Sequence, residues 1–432
     1  MVLLTPATRI FCLALTAVIL YPALLTANET ISNVEIKGLN RTDPMVVHRE
    51  LLSGVGSPVV QQDIDKSCQR LRNLQIFATV TCKTVPSVHS SGVTLLIEVD
   101  ERWTTIPIFK YSAGGGATQL ILGAYDINVF GLFQEYGGQY EKNGTRNSGV
   151  IWYRDRRFLN KRLELFLNFW SVSRQRTLYN IWGKENKIEG GYMLHRRRAV
   201  AYLQKEWFWW LRTGAGISIN NDKYTEEFVP DNIDGPVEFR GTPSNADINV
   251  FNLNLILGEI DYNSFLQDGI LNSSLYEVSR EETGSDHNFF RLENDFKYFR
   301  TLPASATIGF RLGLGLSNVQ TEPYMFYLGG LDRIRGFKES RFRAKNYWLT
   351  NLEYRIPSYK SRWFVLQHIL FYDATGIALS GKKLAQQSAA SVGMGIRLIS
   401  PKVYRLVLRL DYAHPIHKDD ETPISFGVQQ FF

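Results

Sequence analysis

The sequence predicts a transmembrane β-barrel of about sixteen antiparallel strands, preceded by one small α+β module in β-α-α-β-β order. Three observations carry this reading. From residue 106 onward, apolar and polar residues alternate in segments of roughly ten residues, the span of a tilted membrane strand. The connections between those segments sort into a tight set and a long set, as barrel turns and outer loops do. The chain opens with a charge, an apolar core and a small-residue exit, the order of an export signal.

The 432 residues carry 49 basic and 42 acidic side chains, a formal charge of +7, and 44% are hydrophobic. That hydrophobic share can bury a core and excludes disorder. After residue 27 no run of about eighteen uncharged apolar residues occurs, which excludes helical membrane spans. The charge is mild and spread along the chain, so no nucleic-acid partner is expected. At the N-terminus, Arg9 precedes apolar residues 10–25, and Thr26-Ala27 supplies the cleavage point before polar Asn28-Glu29-Thr30. Residues 1–27 therefore read as a signal peptide rather than a membrane anchor, and Cys12 leaves with it.

Residues 28–101 read as the small module. Residues 34–39 alternate and end in a turn, and Asp43-Pro44 looks like a helix cap followed by Pro at the first helical position. That helix is expected to reach Leu52. A second helix is expected over residues 63–74, with Ile64, Cys68 and Leu71 on one face. Residues 77–85 and 93–99 read as strands. Cys68 and Cys82 both point at the helix–sheet interface in an oxidising compartment. A disulfide between them and two buried free thiols remain equally open, because sequence does not give the Cα separation.

Residues 102–432 read as the barrel. Leu406, Leu408, Leu410 and Tyr412 share one face with Tyr404, opposite Arg405, Arg409 and Asp411. Phe251, Leu253, Leu255 and Leu257 oppose Asn252 and Asn254. The polar faces carry charge of both signs, which suits a wet lumen, and in lipid such strands must close on themselves. Sixteen strands follow, from residues 105–113 to residues 423–432. Tight links fall at residues 129–131, 300–302, 358–361 and 400–401, and long ones at 174–196, 221–246, 321–346 and 375–388. Residues 188–194 alternate poorly and fit strand or loop.

The long connection before the twelfth strand contains Gly329-Gly330-Leu331-Asp332-Arg333-Ile334-Arg335-Gly336-Phe337. Asn351-Leu352-Glu353-Tyr354-Arg355-Ile356-Pro357 and Phe371-Tyr372-Asp373-Ala374-Thr375-Gly376 follow it, and Asn128-Val129-Phe130-Gly131 lies near the barrel start. In this order and behind the small module, these segments resemble the motifs of the BamA/TamA-type outer-membrane assembly superfamily. The module resembles its POTRA unit, although only one is present. The last strand contains Gly427 and ends in Phe431 and Phe432, similar to the C-terminal signal of exported barrels, with Gln430 breaking its apolar row.

The strand reading places Glu353 and Asp373 on inward faces of neighbouring strands. A loop carrying Gly329, Gly330, Ile334, Arg335, Gly336 and Phe337 can fold inward, where guanidinium meets carboxylate as a two-pronged fork. Taken alone, Arg335 would be a solvated loop charge.

The resemblance implies a bacterial outer-membrane barrel that assembles, inserts or translocates proteins, with the POTRA-like module in the periplasm. It implies unfolded outer-membrane or exported polypeptides as clients, outer-membrane lipid as surroundings, and periplasmic chaperone or accessory proteins as partners. The expected route is a lateral seam between the first strand (residues 105–113) and the last (residues 423–432), which pairs weakly enough to offer an edge. Alternatives are a two-partner-secretion-type export pore and a passive diffusion porin or structural protein. No enzyme is expected: G-x-S-x-G, H-E-x-x-H, P-loop and C-x-x-C patterns are missing. No cofactor or metal is expected either, since His414 and His417 beside Asp419, Asp420 and Glu421 read as a solvated loop.

Overall fold

The computed structural model describes residues 29–87, 92–114, 117–143, 146–179, 188–227, 243–320, 322–379, 383–416 and 424–428. The export signal, His417 with its neighbouring acids, Gln430, Phe431 and Phe432 lie outside the described residues.

The N-terminal module contains β1 (Ile31–Lys37), α1 (Pro44–His48), α2 (Gln61–Asn73), β2 (Phe77–Pro86) and β3 (Val93–Glu101). Its sheet runs β1-β3-β2, with β1 parallel and β2 antiparallel to β3. Asp43 caps α1 by accepting from the Met45 N–H at 2.8 Å. The helix ends at His48, short of the expected Leu52, and the chain turns so that Glu50 is buried beside Arg70. On α2, Ile64, Cys68 and Leu71 are buried against the sheet. A disulfide joins Cys68 on α2 to Cys82 on β2, with Cα atoms 6.0 Å apart, which decides between the two options left open by the sequence.

Sixteen strands form one antiparallel sheet. Its first half comprises β4 (Thr105–Gly114), β5 (Ala117–Val129), β6 (Gln134–Asn143), β7 (Arg146–Asp155), β8 (Leu163–Tyr179), β9 (Ile188–Phe208), β10 (Leu211–Glu227) and β11 (Ala246–Asn263). Next come β12 (Leu266–Ser279), β13 (Phe289–Thr301) and β14 (Thr307–Ser317); a short hairpin, β15 (Phe326–Leu328) and β16 (Phe342–Ala344), then stands apart from the sheet. The wall resumes with β17 (Asn346–Lys360), β18 (Val365–Ala378), β19 (Gln387–Ile399), β20 (Val407–Ile416) and β21 (Ile424–Val428). The order is sequential except that β14 pairs directly with β17, and among the described residues the ladder ends at β4 and β21.

The side chains sort as membrane and lumen faces. On β11, Phe251, Leu253 and Leu255 face outward while Val250 and Asn252 are buried. On β20, Leu408, Leu410 and Tyr412 are exposed while Arg409, Asp411 and Ala413 are buried. An exposed apolar row opposite a buried charged row suits a cylinder with lipid outside. Among the described residues, no helix is long and apolar enough to cross a membrane.

Two boundaries differ from expectation. Residues 174–196 were read as a long connection, but β8 runs to Tyr179 and β9, 21 residues long, begins at Ile188. Ladder pairing with both neighbours carries β9 through the stretch where alternation fails. Residues 401–406 form a turn instead of the base of a strand. Arg405 adopts φ 45° there, and Tyr404 is buried in the module's core instead of facing lipid.

The module is docked on the mouth bounded by the short turns. Ile106, Ile127, Phe133 and Tyr404 of the barrel share one apolar cluster with Val46, Leu71, Phe77 and Ile97 of the module. At the β5–β6 turn, Gly131 accepts from the Asp43 N–H at 3.0 Å, and Asn128 donates to Thr42 at 2.9 Å. A Cβ on Gly131 would lie 2.2 Å from the Arg41 carbonyl, so the close approach requires glycine. The Asn-x-Phe-Gly turn is therefore a docking surface as well as a turn.

Across the mouth, Arg70 and Glu50 of the module meet Arg157 and Glu206 of the rim in an alternating ionic square. Arg70 contacts Glu50 at 2.7 Å and Glu206 at 3.1 Å; Arg157 contacts Glu50 at 2.8 Å and Glu206 at 2.9 Å. Asn73 donates to Glu259 and Asp261, and Arg405 donates to Gln75 at 2.9 Å. The linker is stitched to the β19–β20 turn, where Trp103 donates to the Lys402 carbonyl and accepts from the Tyr404 N–H.

Candidate functional site: a lumenal loop tied to the wall

Residues 318–345 connect β14 to β17. The connection folds back on itself through the β15–β16 hairpin, which pairs Phe326 with Ala344 and Leu328 with Phe342. Its apolar residues pack together: Phe326, Leu328, Ile334, Phe337 and Phe342 join Tyr347, Leu349 and Ile377 of the wall in one buried cluster. Gly329 (φ 114°) and Gly330 (φ 79°) turn the chain out of the hairpin, and a Cβ on Gly329 would sit 2.4 Å from the Lys338 carbonyl. Gly336 (φ 86°) brings the tip against β20, where its Cβ would lie 3.2 Å from Ala413.

This path carries Arg335 into the wall, with 0% exposure. Its Nε and Nη2 donate to the two oxygens of Asp373 on β18, each at 2.8 Å, and its Nη1 donates to Glu353 on β17 at 2.6 Å. Its backbone N–H also donates to Asp373 at 3.1 Å, and Ser391 on β19 donates to its carbonyl at 2.7 Å. The guanidinium carbon lies 3.5 Å from the centroid of the Phe371 ring. Three adjacent strands thus hold one residue, β17 and β18 by its side chain and β19 by its carbonyl.

The carboxylates are compensated in turn. Glu353 also accepts from Arg355 at 2.7 Å, and Asp373 accepts from Asn351 at 2.9 Å. Arg397 pairs with Asp411 at 2.6 Å and lies 3.8 Å from Glu353. Arg335, Arg355 and Arg397 therefore alternate with Glu353, Asp373 and Asp411 through β17–β20. A buried cation is tolerable only in such company.

The tip reaches the last two strands. Asp332 accepts from Arg409 on β20 at 2.7 Å. On β21, a Cβ at Gly427 would fall 2.4 Å from Leu331 Cδ2 and 2.8 Å from Arg409 Nε. Glycine at that position is what lets Leu331 seat on the strand.

A second tie holds the loop's opposite shoulder. Tyr324 donates to Asp222 on β10 at 2.9 Å, and Arg196 on β9 grips the same carboxylate at 2.7 and 2.6 Å. The sequence reading put Arg196 and Asp222 in the long connections 174–196 and 221–246, so neither was identified as a wall residue. Arg409 and Asp411 were visible only as positions on a polar face, Arg355 only as part of the Asn351–Pro357 motif, and Arg397 was not singled out. Leu331 and Asp332 carried no signal beyond lying between the glycines and Arg335.

The arrangement is electrostatic and steric. Among the described residues, no group of three or more His, Cys, Asp or Glu is placed to hold a metal. Phe431 and Phe432 lie outside the described residues, so Gly427 alone of the C-terminal trio is placed.

A wall of sixteen membrane strands with an inward loop pinned by its arginine defines a transmembrane transport barrel. The sequence pattern described as the Omp85 superfamily domain matches residues 128–432, and the chain belongs to that superfamily of outer-membrane barrels, which insert or translocate polypeptides. Among solved structures, BamA from Haemophilus ducreyi lacking POTRA domains 1–3 is similar at 15% identity, covering 93% of this chain and 83% of that one, with TM-score 0.53. CdiB from Acinetobacter baumannii is similar at 12% identity, covering 93% and 73%, with TM-score 0.59. CdiB from Escherichia coli is similar at 10% identity, covering 92% and 75%, with TM-score 0.62. At these identities the likenesses speak for the fold. No curated protein matches the chain in sequence.

Proposed function

We propose that this protein inserts or translocates polypeptide clients through a lateral seam between β4 and β21, without catalysis, and that the docked module receives those clients in the periplasm. One observation carries the reading. β4 and β21 are the two end strands of the described ladder, in which β21 pairs with β20 from Tyr412–Ile424 to Leu408–Val428 and no pairing joins it to β4. An end strand held on one side alone is the strand most easily peeled open. Once open, its unpaired N–H and C=O groups template an incoming strand, and client folding into lipid supplies the free energy.

The loop tip takes part by position. Leu331 on Gly427 and Asp332 on Arg409 brace the last two strands from inside, while Arg335 fixes the tip to β17–β19. Short turns and the export signal support placing the module in the periplasm.

The test is a disulfide across the seam. Cysteine pairs scanned over residues 105–109 and 424–428 are oxidised in the full chain, and insertion of an outer-membrane barrel client into proteoliposomes is measured. Crosslinked protein is expected to lose insertion and to regain it on reduction. Full insertion by the crosslinked form would sink the seam mechanism.

A further inference from the structure

The outer surface of β5–β8 carries a groove. Two apolar hollows, of about 970 and 700 Å3, adjoin there and share Gly138, Ile151 and Phe169. The first extends to Tyr136, Tyr153 and Leu167, toward the short turns; the second extends to Tyr140, Gly149 and Ser171, toward the long loops. Ile151 is 62% exposed and Phe169 48%, so the groove lies on the lipid face. From Leu167 to Ser171 it follows β8 for about 13 Å, close to the depth of one leaflet.

The wall does not need glycine where the groove is deepest. Elsewhere on these strands it does: a Cβ on Gly137 would lie 2.0 Å from the Trp152 ring, and one on Gly123 would lie 2.4 Å from the Gly138 carbonyl. On Gly138 and Gly149 the nearest atoms would be 3.7 and 3.9 Å away, and neither residue has a positive φ. Their missing side chains make room outside the wall and serve no packing within it.

The end of the groove toward the long loops is cationic. Ser171 pairs across the ladder with Arg197 on β9, and Arg197 with Asn221 on β10. One row further out lie Lys142 on β6 and Lys223 on β10, the latter opposite His195. Lys142, Arg197 and Lys223 are exposed, and among the described residues no carboxylate contacts them. Asp247, which continues the row beyond Asn221, already accepts from Asn221 at 2.6 Å. Arg197 and Lys223 are diagonal neighbours across β9 and β10, within reach of one phosphate.

We propose that this groove binds one phosphorylated acyl lipid of the outer leaflet, with its chain over Gly138 and Gly149 and its phosphate held by Arg197 and Lys223. An apolar length ending in uncompensated cations matches such a molecule in both parts. Guanidinium and ammonium both donate to phosphate oxygens, while the hollows take the chain. The strands β5–β8 are paired on both sides, so their backbone has no bonds to offer a polypeptide. The site stands on the wall alone and is independent of the seam.

The experiment titrates the full chain in dodecyl maltoside micelles with dimyristoyl phosphatidic acid or dimyristoyl phosphatidylcholine and counts bound lipid by native mass spectrometry. One phosphatidic acid is expected to bind about tenfold tighter than phosphatidylcholine. Arg197→Gln combined with Lys223→Gln is expected to erase that preference. Gly138→Leu and Gly149→Leu are each expected to weaken both lipids about tenfold by filling the groove, with heat-modifiable gel mobility reporting that the barrel is folded. Equal binding of the two lipids by the wild type overturns the site, as does a preference that survives in the double charge variant or an unchanged affinity in both leucine variants. Release of the bound phosphatidic acid by millimolar inorganic phosphate overturns it in favour of a soluble anion. A wild-type dimer mass that Gly138→Leu abolishes overturns it in favour of a second copy of the chain.

Discussion

Arg335 shows at the residue scale how much of a site one side chain can hold. It makes a fork to Asp373, a bond to Glu353 and a ring contact with Phe371 while fully buried. Removing one partner of a buried pair leaves the other uncompensated, at about 3–5 kcal/mol. Arg335→Ala is therefore expected to lower the unfolding free energy of the lipid-reconstituted barrel, read from urea titration, by that amount. Arg335→Lys is expected to recover only a minor part, because an ammonium cannot span both oxygens of Asp373 and reach Glu353. At Gly427 the effect is steric. Gly427→Ala should drive Leu331 off β21, and Leu331→Ala should restore room. Client insertion is expected to fall in the single variant and recover in the double; equal impairment of both would show that the contact is incidental. Glu101 offers a pH test outside the membrane. Burial alone would raise its pKa, but the N–H groups of Thr42 and Arg41, at 2.8 and 3.0 Å, outweigh it and hold the carboxyl low. A lowered folded-state pKa adds stability above the unfolded value, and that stability is lost as pH falls through the folded one. The melting-temperature difference between wild type and Glu101→Gln should shrink as the solution is acidified through the carboxylate range.

Among the elements, the α2–β2 pairing is the best defined by chemistry. The Cys68–Cys82 bond closes a loop of 14 residues, for which chain entropy gives about 3 kcal/mol. Reduction, or Cys68→Ser with Cys82→Ser, is expected to make the module the first part to open, seen as early amide exchange over residues 61–86 while the barrel stays protected. The strands were legible in the sequence because each one exposes one face to lipid and the other to a charged lumen, and a period of two survives a wide choice of residues. Glu353 and Asp373 could be placed inward by the same parity. The base of β20 was misread for a physical reason: Tyr404 continues the alternation of Leu406 and Leu408, yet its ring is buried by the module, not by lipid. Periodicity reports that a face is apolar and is silent on what covers it. The ends of β8 and β9 were missed because Gly190-Gly191 and the apolar run Tyr192-Met193-Leu194 break the period of two, and only pairing with a neighbour keeps the strand going.

For the whole molecule, the docking of module on barrel was the least legible feature. The ionic square joins residues 50, 70, 157 and 206, so far apart in the chain that no local pattern links them. Glu206→Gln should unbalance the square by removing one of its two carboxylates. The expected result is a broadened distance between spin labels on the module and the β13–β14 turn, with the barrel's own unfolding midpoint nearly unchanged; an unaltered distance distribution would show that the apolar cluster alone fixes the module. The position of these contacts carries a mechanical corollary. They grip the base of the cylinder at the β5–β6, β7–β8 and β19–β20 turns and at the feet of β9 and β11. A tube clamped along part of its circumference does not dilate evenly. Away from the β4–β21 edges, breathing of the mouth is concentrated in the arc from β12 to β18, and a load on the module tilts the gripped staves as one piece.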